Sequence, residues 1–289
     1  ISIKFLKRFV TDRDNGEWQQ FSRRASHWSG KKVAIVGSGP AGLTAGYYLA
    51  KSGHAVTVFE QFSKAGGMMR VGIPDYRLPP EVLDGEIEII KNVGVEIKLN
   101  TRIESVEGLF EQGYDAVFLA PGAHVGMKQG IEGEDSPGVF DGASFLRDVN
   151  LGVKVDVGKR VAVVGGGNVA IDSARAALRL GAEKVNIMYR RTRAEMPASP
   201  EEVEAALEEG IEIVFLAAPL KISRDNGRLS LTCNRMELGE LDASGRRRPV
   251  PIKGRVRTLT DGHFVEDKPC LLYTSPSPRD LSTPRMPSS

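Results

Sequence analysis

The chain predicts an α/β protein built on two doubly wound parallel sheets, and three observations predict it. Two glycine-rich turns each stand between a β-branched run and an Ala-rich helical stretch. Strands and helices alternate over most of the sequence. At 289 residues the chain exceeds one typical domain and suits two such units.

The first turn is Val33-Ala34-Ile35-Val36-Gly37-Ser38-Gly39-Pro40-Ala41-Gly42, and the second Val161-Ala162-Val163-Val164-Gly165-Gly166-Gly167-Asn168-Val169-Ala170. The strand–turn–helix context raises G-x-G-x-x-G/A from a weak pattern to a dinucleotide-binding signature. The first glycine permits the tight turn and the second lets backbone approach a pyrophosphate. The third small residue lets helix and strand pack closely, with the helix N-terminus facing the negative charge.

The remaining elements follow in order. Ile1 to Asp14 reads as an amphipathic helix, with Ile3, Leu6, Phe9 and Val10 on one face. Asn15 to Lys32 is a polar connector. The first unit runs from Val33 to about Asn150: a strand at Ala55–Phe59, a helix at Glu81–Val93, a strand at Val95–Leu99 and a buried strand at Tyr114–Ala120. The second unit runs from Gly158 to about Val265, with helices at Ala170–Leu180 and Glu201–Glu209. Gly181 and Gly210 stand where helix C-caps belong. As domains, 1–30 are helix and connector, 31–155 the first unit and 156–265 the second.

The residue about 20 positions beyond each turn separates the two sites. The first second-strand ends in Glu60, whose carboxylate suits the ribose hydroxyls of FAD or NAD. The other, Lys184–Tyr189, ends in Arg190-Arg191 with Arg193 close by. Guanidinium groups there suit a 2′-phosphate, so NADPH is expected over NADH. The alternative for these arginines is a solvated basic turn.

A net charge of +2 with 26% charged residues excludes a nucleic-acid binder. Arg246-Arg247-Arg248, between Gly245 and Pro249, reads as a solvent-exposed turn. No apolar stretch approaches a membrane span, no signal peptide is expected, and two cysteines fit a reducing cytoplasm. The absence of C-x-x-C disfavours disulfide reduction; Cys233, on a strand-like stretch over Leu229–Met236, reads as a core thiol, and the four histidines show no metal-ligand spacing.

From Cys270 to Ser289 the chain turns Ser/Pro-rich. This stretch is similar to one reading frame of a transposase-type sequencing adaptor and is left out of the fold reasoning.

The chain resembles the small (beta) subunit of glutamate synthase and related FAD-dependent NADPH oxidoreductases, including the NADPH-side half of dihydropyrimidine dehydrogenase. The resemblance covers about Ile1 to Pro269. It rests on Gly66-Gly67-Met68-Met69-Arg70-Val71-Gly72-Ile73-Pro74, Tyr76-Arg77-Leu78-Pro79, Gly165 to Asp172, Tyr189-Arg190-Arg191-Thr192 and Glu195-Met196-Pro197-Ala198.

It implies FAD at Gly37, Gly39, Pro40, Ala41, Gly42 and Glu60. Gly67 and Met68 would lie near the flavin, with Arg77 between flavin and an iron–sulfur cluster, and Ala120, Pro121 and Gly122 abutting FAD. It implies NADPH pyrophosphate at Gly165, Gly167, Asn168, Val169 and Ala170, and its 2′-phosphate at Arg190, Arg191 and Arg193. The NADPH domain is then an insertion in a flavin domain that resumes at 266–269, and the flavin domain is incomplete at its C-terminal end.

The resemblance further implies iron–sulfur clusters in a region upstream of Ile1, and an electron-accepting subunit or fused domain as partner, with ferredoxin an alternative. Cys233 alone cannot ligate a cluster. No general acid, base or nucleophile is expected, since the cofactor carries the chemistry. Two other readings stay open: ferredoxin-linked NADP reduction on the same fold, and a non-catalytic dinucleotide-binding scaffold.

Overall fold

The structure is a computed structural model, and it describes residues 2–17, 19, 26–225, 228–243, 245–258 and 270–273. The chain divides into two compact units. The first comprises Ile1–Arg70 with Asp75–Gly122, the second Val71–Pro74 with Ala123–Ser289.

In the first unit, helix α1 (Ile3–Thr11) precedes β1 (Lys32–Val36), α2 (Pro40–Lys51), β2 (Ala55–Phe59) and α3 (Met68–Val71). α4 (Pro80–Asn92), β3 (Val95–Lys98), α5 (Glu107–Glu111) and β4 (Ala116–Leu119) complete it. The four strands are parallel in the order β3-β2-β1-β4. Pro40 and Pro80 open their helices at the first position, where a missing N–H costs nothing and φ is already helical. Val33, Ile35, Val56, Val58 and Val95 form the core beneath α2.

Two expectations change here. The strand over Tyr114–Ala120 is present, but among the described strands β4 stands at the edge of its sheet, with Phe118 and Leu119 42% and 57% exposed. An apolar run has no periodicity that separates a buried strand from an edge. Helix α1 forms as expected, yet none of its residues is buried.

In the second unit, β5 (Val139–Asp141), α6 (Gly142–Asn150), β6 (Arg160–Val164), α7 (Asn168–Arg179) and β7 (Lys184–Tyr189) lead to a single 3-10 turn at Arg193–Glu195. α8 (Pro200–Glu208), β8 (Glu212–Phe215), β9 (Ala217–Asp225), β10 (Arg228–Leu241), β11 (Arg247–Thr258) and β12 (Cys270–Tyr273) follow. The parallel sheet runs β5-β12-β6-β7-β8, and β9 to β11 form a separate antiparallel sheet. The core lies between β6, β7 and the helices α6, α7 and α8, around Val163, Ile187, Phe145, Ile171 and Val203.

The unit boundary falls at Gly122/Ala123 rather than 155/156. β5 joins the second unit's sheet through β12, and α6, capped by Asp141 accepting from the Ser144 N–H at 2.9 Å, packs its Phe145 and Leu146 into that unit's core. The stretch 270–289, left out of the fold by sequence, supplies β12 between β5 and β6. Four apolar residues with free backbone groups satisfy that ladder whatever their origin. The expected return segment 266–269 and residues 274–289 lie outside the described residues. The antiparallel sheet was legible only as one strand-like stretch, Leu229–Met236.

Helix α7 is tied to α8 by an ion network. Arg175 donates to Glu202 at 2.7 Å and to Glu209 at 2.8 Å, and Arg179 donates to both oxygens of Glu209 at 2.9 and 2.8 Å. Hydrogen bonds from Arg179, then Arg175, hold the Glu209 carboxyl down at about 2, against the opposing effect of burial. A depressed carboxylate stabilises the fold above its ordinary value near 4.5, and that contribution disappears as pH falls through about 2. Glu209→Gln is therefore expected to cost about 1–2 kcal/mol at pH 7, after allowance for solvent screening, and only a small fraction of that at pH 2. Urea midpoints of the two proteins at pH 7, 4 and 2 check this; parallel curves would contradict it.

Candidate dinucleotide sites

At the first turn Gly37 follows β1 directly, and its N–H donates to the Phe59 carbonyl at 2.8 Å. Its φ of +105° is left-handed, and a Cβ there would drive into the carbonyl of Ala120. The strand-end turn that begins Ala120-Pro121 therefore lies against the glycine turn. Gly39 is the N-cap of α2, so Pro40, Ala41 and Gly42 form its first turn, whose backbone N–H groups present positive charge. Gly67 packs on Gly39: a side chain at Gly67 would stand 2.5 Å from the Gly39 Cα. Met68 follows at the start of α3, and Arg77 lies half-buried on the segment leading to α4.

Glu60 is buried at the carboxyl end of β2. One oxygen accepts from the Ser38 N–H at 3.0 Å and from the Ser38 hydroxyl, and the other from the Phe62 N–H at 2.9 Å. A carboxylate has about four acceptor positions, so the second oxygen keeps capacity for a ribose hydroxyl. The sheet order reverses direction at β1, and ligands of such sheets bind outside the strand ends at that point.

The second turn repeats the plan. Gly165 donates to the Met188 carbonyl at 3.0 Å, and Gly167 is the N-cap of α7, which begins Asn168, Val169, Ala170. Gly166 lies flat on Tyr189, where a Cβ would meet the ring at 2.5 Å. The Glu195–Ala198 motif wraps this turn. Ala198 donates to the Gly166 carbonyl at 3.1 Å, and Ser199 donates to the Asn168 side chain at 3.0 Å. A capping box between Thr192 and Glu195 starts that wrap, and Tyr189 anchors it with its hydroxyl on the Glu195 carbonyl at 2.6 Å.

The three arginines have different surroundings. Arg190 reaches solvent; loss of hydration, then the charge of Arg191, pushes its pKa down. Arg191 is buried, its Nη2 on Asp242 at 2.6 Å and its Nε on the Arg247 carbonyl at 2.7 Å. Arg193 pairs with Glu204 on the surface. Sequence reasoning missed Asp242 and the β10–β11 loop, because a contact 51 residues away leaves no local signal.

Cys233 is buried and burial pushes its thiol up to about 12. Among the described residues no group of His, Cys, Asp or Glu could hold a metal, so none fits an iron–sulfur cluster. Among them, too, no helix is long and apolar enough to cross a membrane.

Known proteins resemble this chain in sequence and in fold. The chain is 47% identical over 281 residues to the beta subunit of the NADP(+)-dependent formate dehydrogenase of Moorella thermoacetica, covering 88% of this chain and 40% of that protein. It is 37% identical over 269 residues to the Escherichia coli glutamate synthase [NADPH] small chain, covering 88% and 57%. The chain thus spans about two-fifths to three-fifths of the length of these relatives. Among solved structures, Mycobacterium tuberculosis FprA in complex with NADPH superposes with a TM-score of 0.70 at 22% identity, over 86% of this chain and 72% of that one. Residues 31–245 match the family model of the pyridine nucleotide-disulphide oxidoreductases, and the chain belongs to that family.

Proposed function

We propose that this chain is the FAD- and NADPH-handling part of a larger oxidoreductase, in which NADPH reduces a flavin and electrons pass on to a partner subunit or domain. The observation that carries this reading is the pair of glycine turns with opposite ribose ends, Glu60 at the first and Arg190 at the second. The subunit names of the 47% and 37% identical relatives, each a beta or small chain, support a partner.

At Gly39 and Gly167, the N-caps of α2 and α7, a Cβ would meet nothing closer than 3.9 Å, so the backbone at each helix N-terminus has room for a pyrophosphate to approach. Gly37, Gly39, Pro40, Ala41 and Gly42 would hold the FAD diphosphate and Glu60 its ribose. Gly67, Met68, Arg77, Ala120, Pro121 and Gly122 would border the same cofactor. Bound FAD would supply chemistry that links two-electron and one-electron transfer. Gly165, Gly167, Asn168, Val169 and Ala170 would hold the NADPH pyrophosphate, with Arg190 reading the 2′-phosphate, since Arg191 is tied to Asp242 and the Arg247 carbonyl and Arg193 to Glu204. No side chain is assigned as acid, base or nucleophile. Any iron–sulfur relay belongs to sequence other than the described residues.

Arg190→Ala is expected to lower the affinity for NADPH about tenfold or more while leaving NADH within about twofold, because a charge-assisted contact is worth roughly one such factor. Fluorescence titration of the full chain with each nucleotide checks it. An unchanged ratio would overturn the assignment.

A further inference from the structure

We propose that Arg246, on the loop between β10 and β11, forms the 2′-phosphate seat together with Arg190, while Arg191 holds that loop in place. This rests on the reading of the second turn as an NADPH site, and deepens it by adding a residue from a distant sheet.

The loop is pinned to the end of β7 at several points. Leu216, in the left-handed region at φ +55°, donates to the Arg191 carbonyl at 3.1 Å, and its own carbonyl accepts from Met236 on β10 at 2.8 Å. Arg191 donates to Asp242 at the exit of β10 and to the Arg247 carbonyl at the entry of β11. Asp242 then closes the loop on itself. Its second oxygen accepts from the Arg246 N–H at 3.2 Å, and its own N–H donates to the Arg246 carbonyl at 2.7 Å. Arg246 is thereby held between two residues that Arg191 fixes, and it is half-buried rather than in the open turn the sequence suggested.

Charge shows where its guanidinium acts. Burial raises the Tyr189 phenol; a hydrogen bond from Arg191, and then the positive charges of Arg191, Arg246 and Arg190, oppose that rise. Arg246 also adds to the depression at Arg190, against which Asp242 acts. The end of β7 and the β10–β11 loop thus bring the charges of Arg190, Arg191 and Arg246 to bear on one phenol, whose ring lies under Gly166. Crowding like charges costs free energy, and a phosphate dianion placed among them removes that cost while accepting several hydrogen bonds. The 2′-phosphate of a nucleotide whose pyrophosphate sits on Gly165 to Gly167 has the chemistry this group selects.

Isothermal titration of the full chain with 2′,5′-ADP and with 5′-AMP tests this, since the two differ only in the 2′-phosphate. Arg246→Ala and Arg190→Ala are each expected to weaken 2′,5′-ADP about ten- to thirtyfold and leave 5′-AMP within about twofold. Arg246→Lys, which keeps the charge without the fork, should fall between, and Arg248→Ala on the exposed side should match the parent. If Arg190→Ala loses the preference and Arg246→Ala keeps it, the inference on Arg246 is overturned and the NADPH site stands. If Arg246→Ala weakens both ligands equally, Arg246 only shapes the loop and the inference is overturned. A parent chain binding the two ligands equally overturns the NADPH reading and this inference with it.

Discussion

Gly37→Ala is expected to lower the stability of the chain by more than about 3 kcal/mol, and its melting temperature by roughly 6–12 °C. The substitution forces a side chain into a left-handed conformation and into the Ala120 carbonyl, a backbone group that cannot swing aside. Relief requires β1 and β4 to separate at the point where they pair, Val36 against Leu119. Gly85→Ala is the control. It lies within α4 with nothing within 4 Å of a new Cβ, so about 0.5–1 kcal/mol of stabilisation is expected from helix propensity. Thermal melts of both variants check the pair; equal effects would show that the close approach at the first turn is not what places glycine there.

Arg191→Ala is expected to cost about 3 kcal/mol, measured as a shift in urea midpoint. The Arg191 side chain is only 6% exposed, and its removal leaves Asp242 and the Arg247 carbonyl without their donor in a partly desolvated corner. Breaking one side of such a pair costs more than the pair itself contributes, because the remaining charge stays behind. Arg191→Lys is not expected to rescue it, since one ammonium cannot reach both acceptors with the guanidinium's geometry. Arg190→Ala, at an exposed position, is expected within about 0.5 kcal/mol of the parent. A neutral Arg191→Ala would contradict the role given to Arg191 as the anchor of the β10–β11 loop.

The contrast between these adjacent arginines shows what the sequence could and could not carry. Both glycine turns, their strands and their helices were legible because the signal is local: β-branched run, turn residues, then Ala-rich helix within about 20 positions. Glu60 and Arg190 stand directly after β2 and β7, as the sequence has them, because a short β-branched strand after each turn is also a local signal. The division of labour between Arg190 and Arg191 was not, since alternation alone does not say that one side chain turns to a hairpin whose loop is 51 residues away. The antiparallel sheet was hidden for a related reason. β10 and β11 have register shifts at Asn234/Met236 and Leu238/Leu241, which break the period of two that marks a strand. The edge position of β4 and the place of β5 and α6 in the second unit are properties of strand order, which composition does not encode.

The claim that NADPH reduces a flavin on this chain is tested most directly by anaerobic titration of the purified full chain, supplied with FAD, while the flavin absorbance near 450 nm is followed. The account predicts a yellow protein that bleaches on adding NADPH and far more slowly with NADH. A protein that binds NADPH but holds no flavin, or a bound flavin that NADPH leaves oxidised, would contradict it and leave a dinucleotide-binding scaffold as the reading of these two turns.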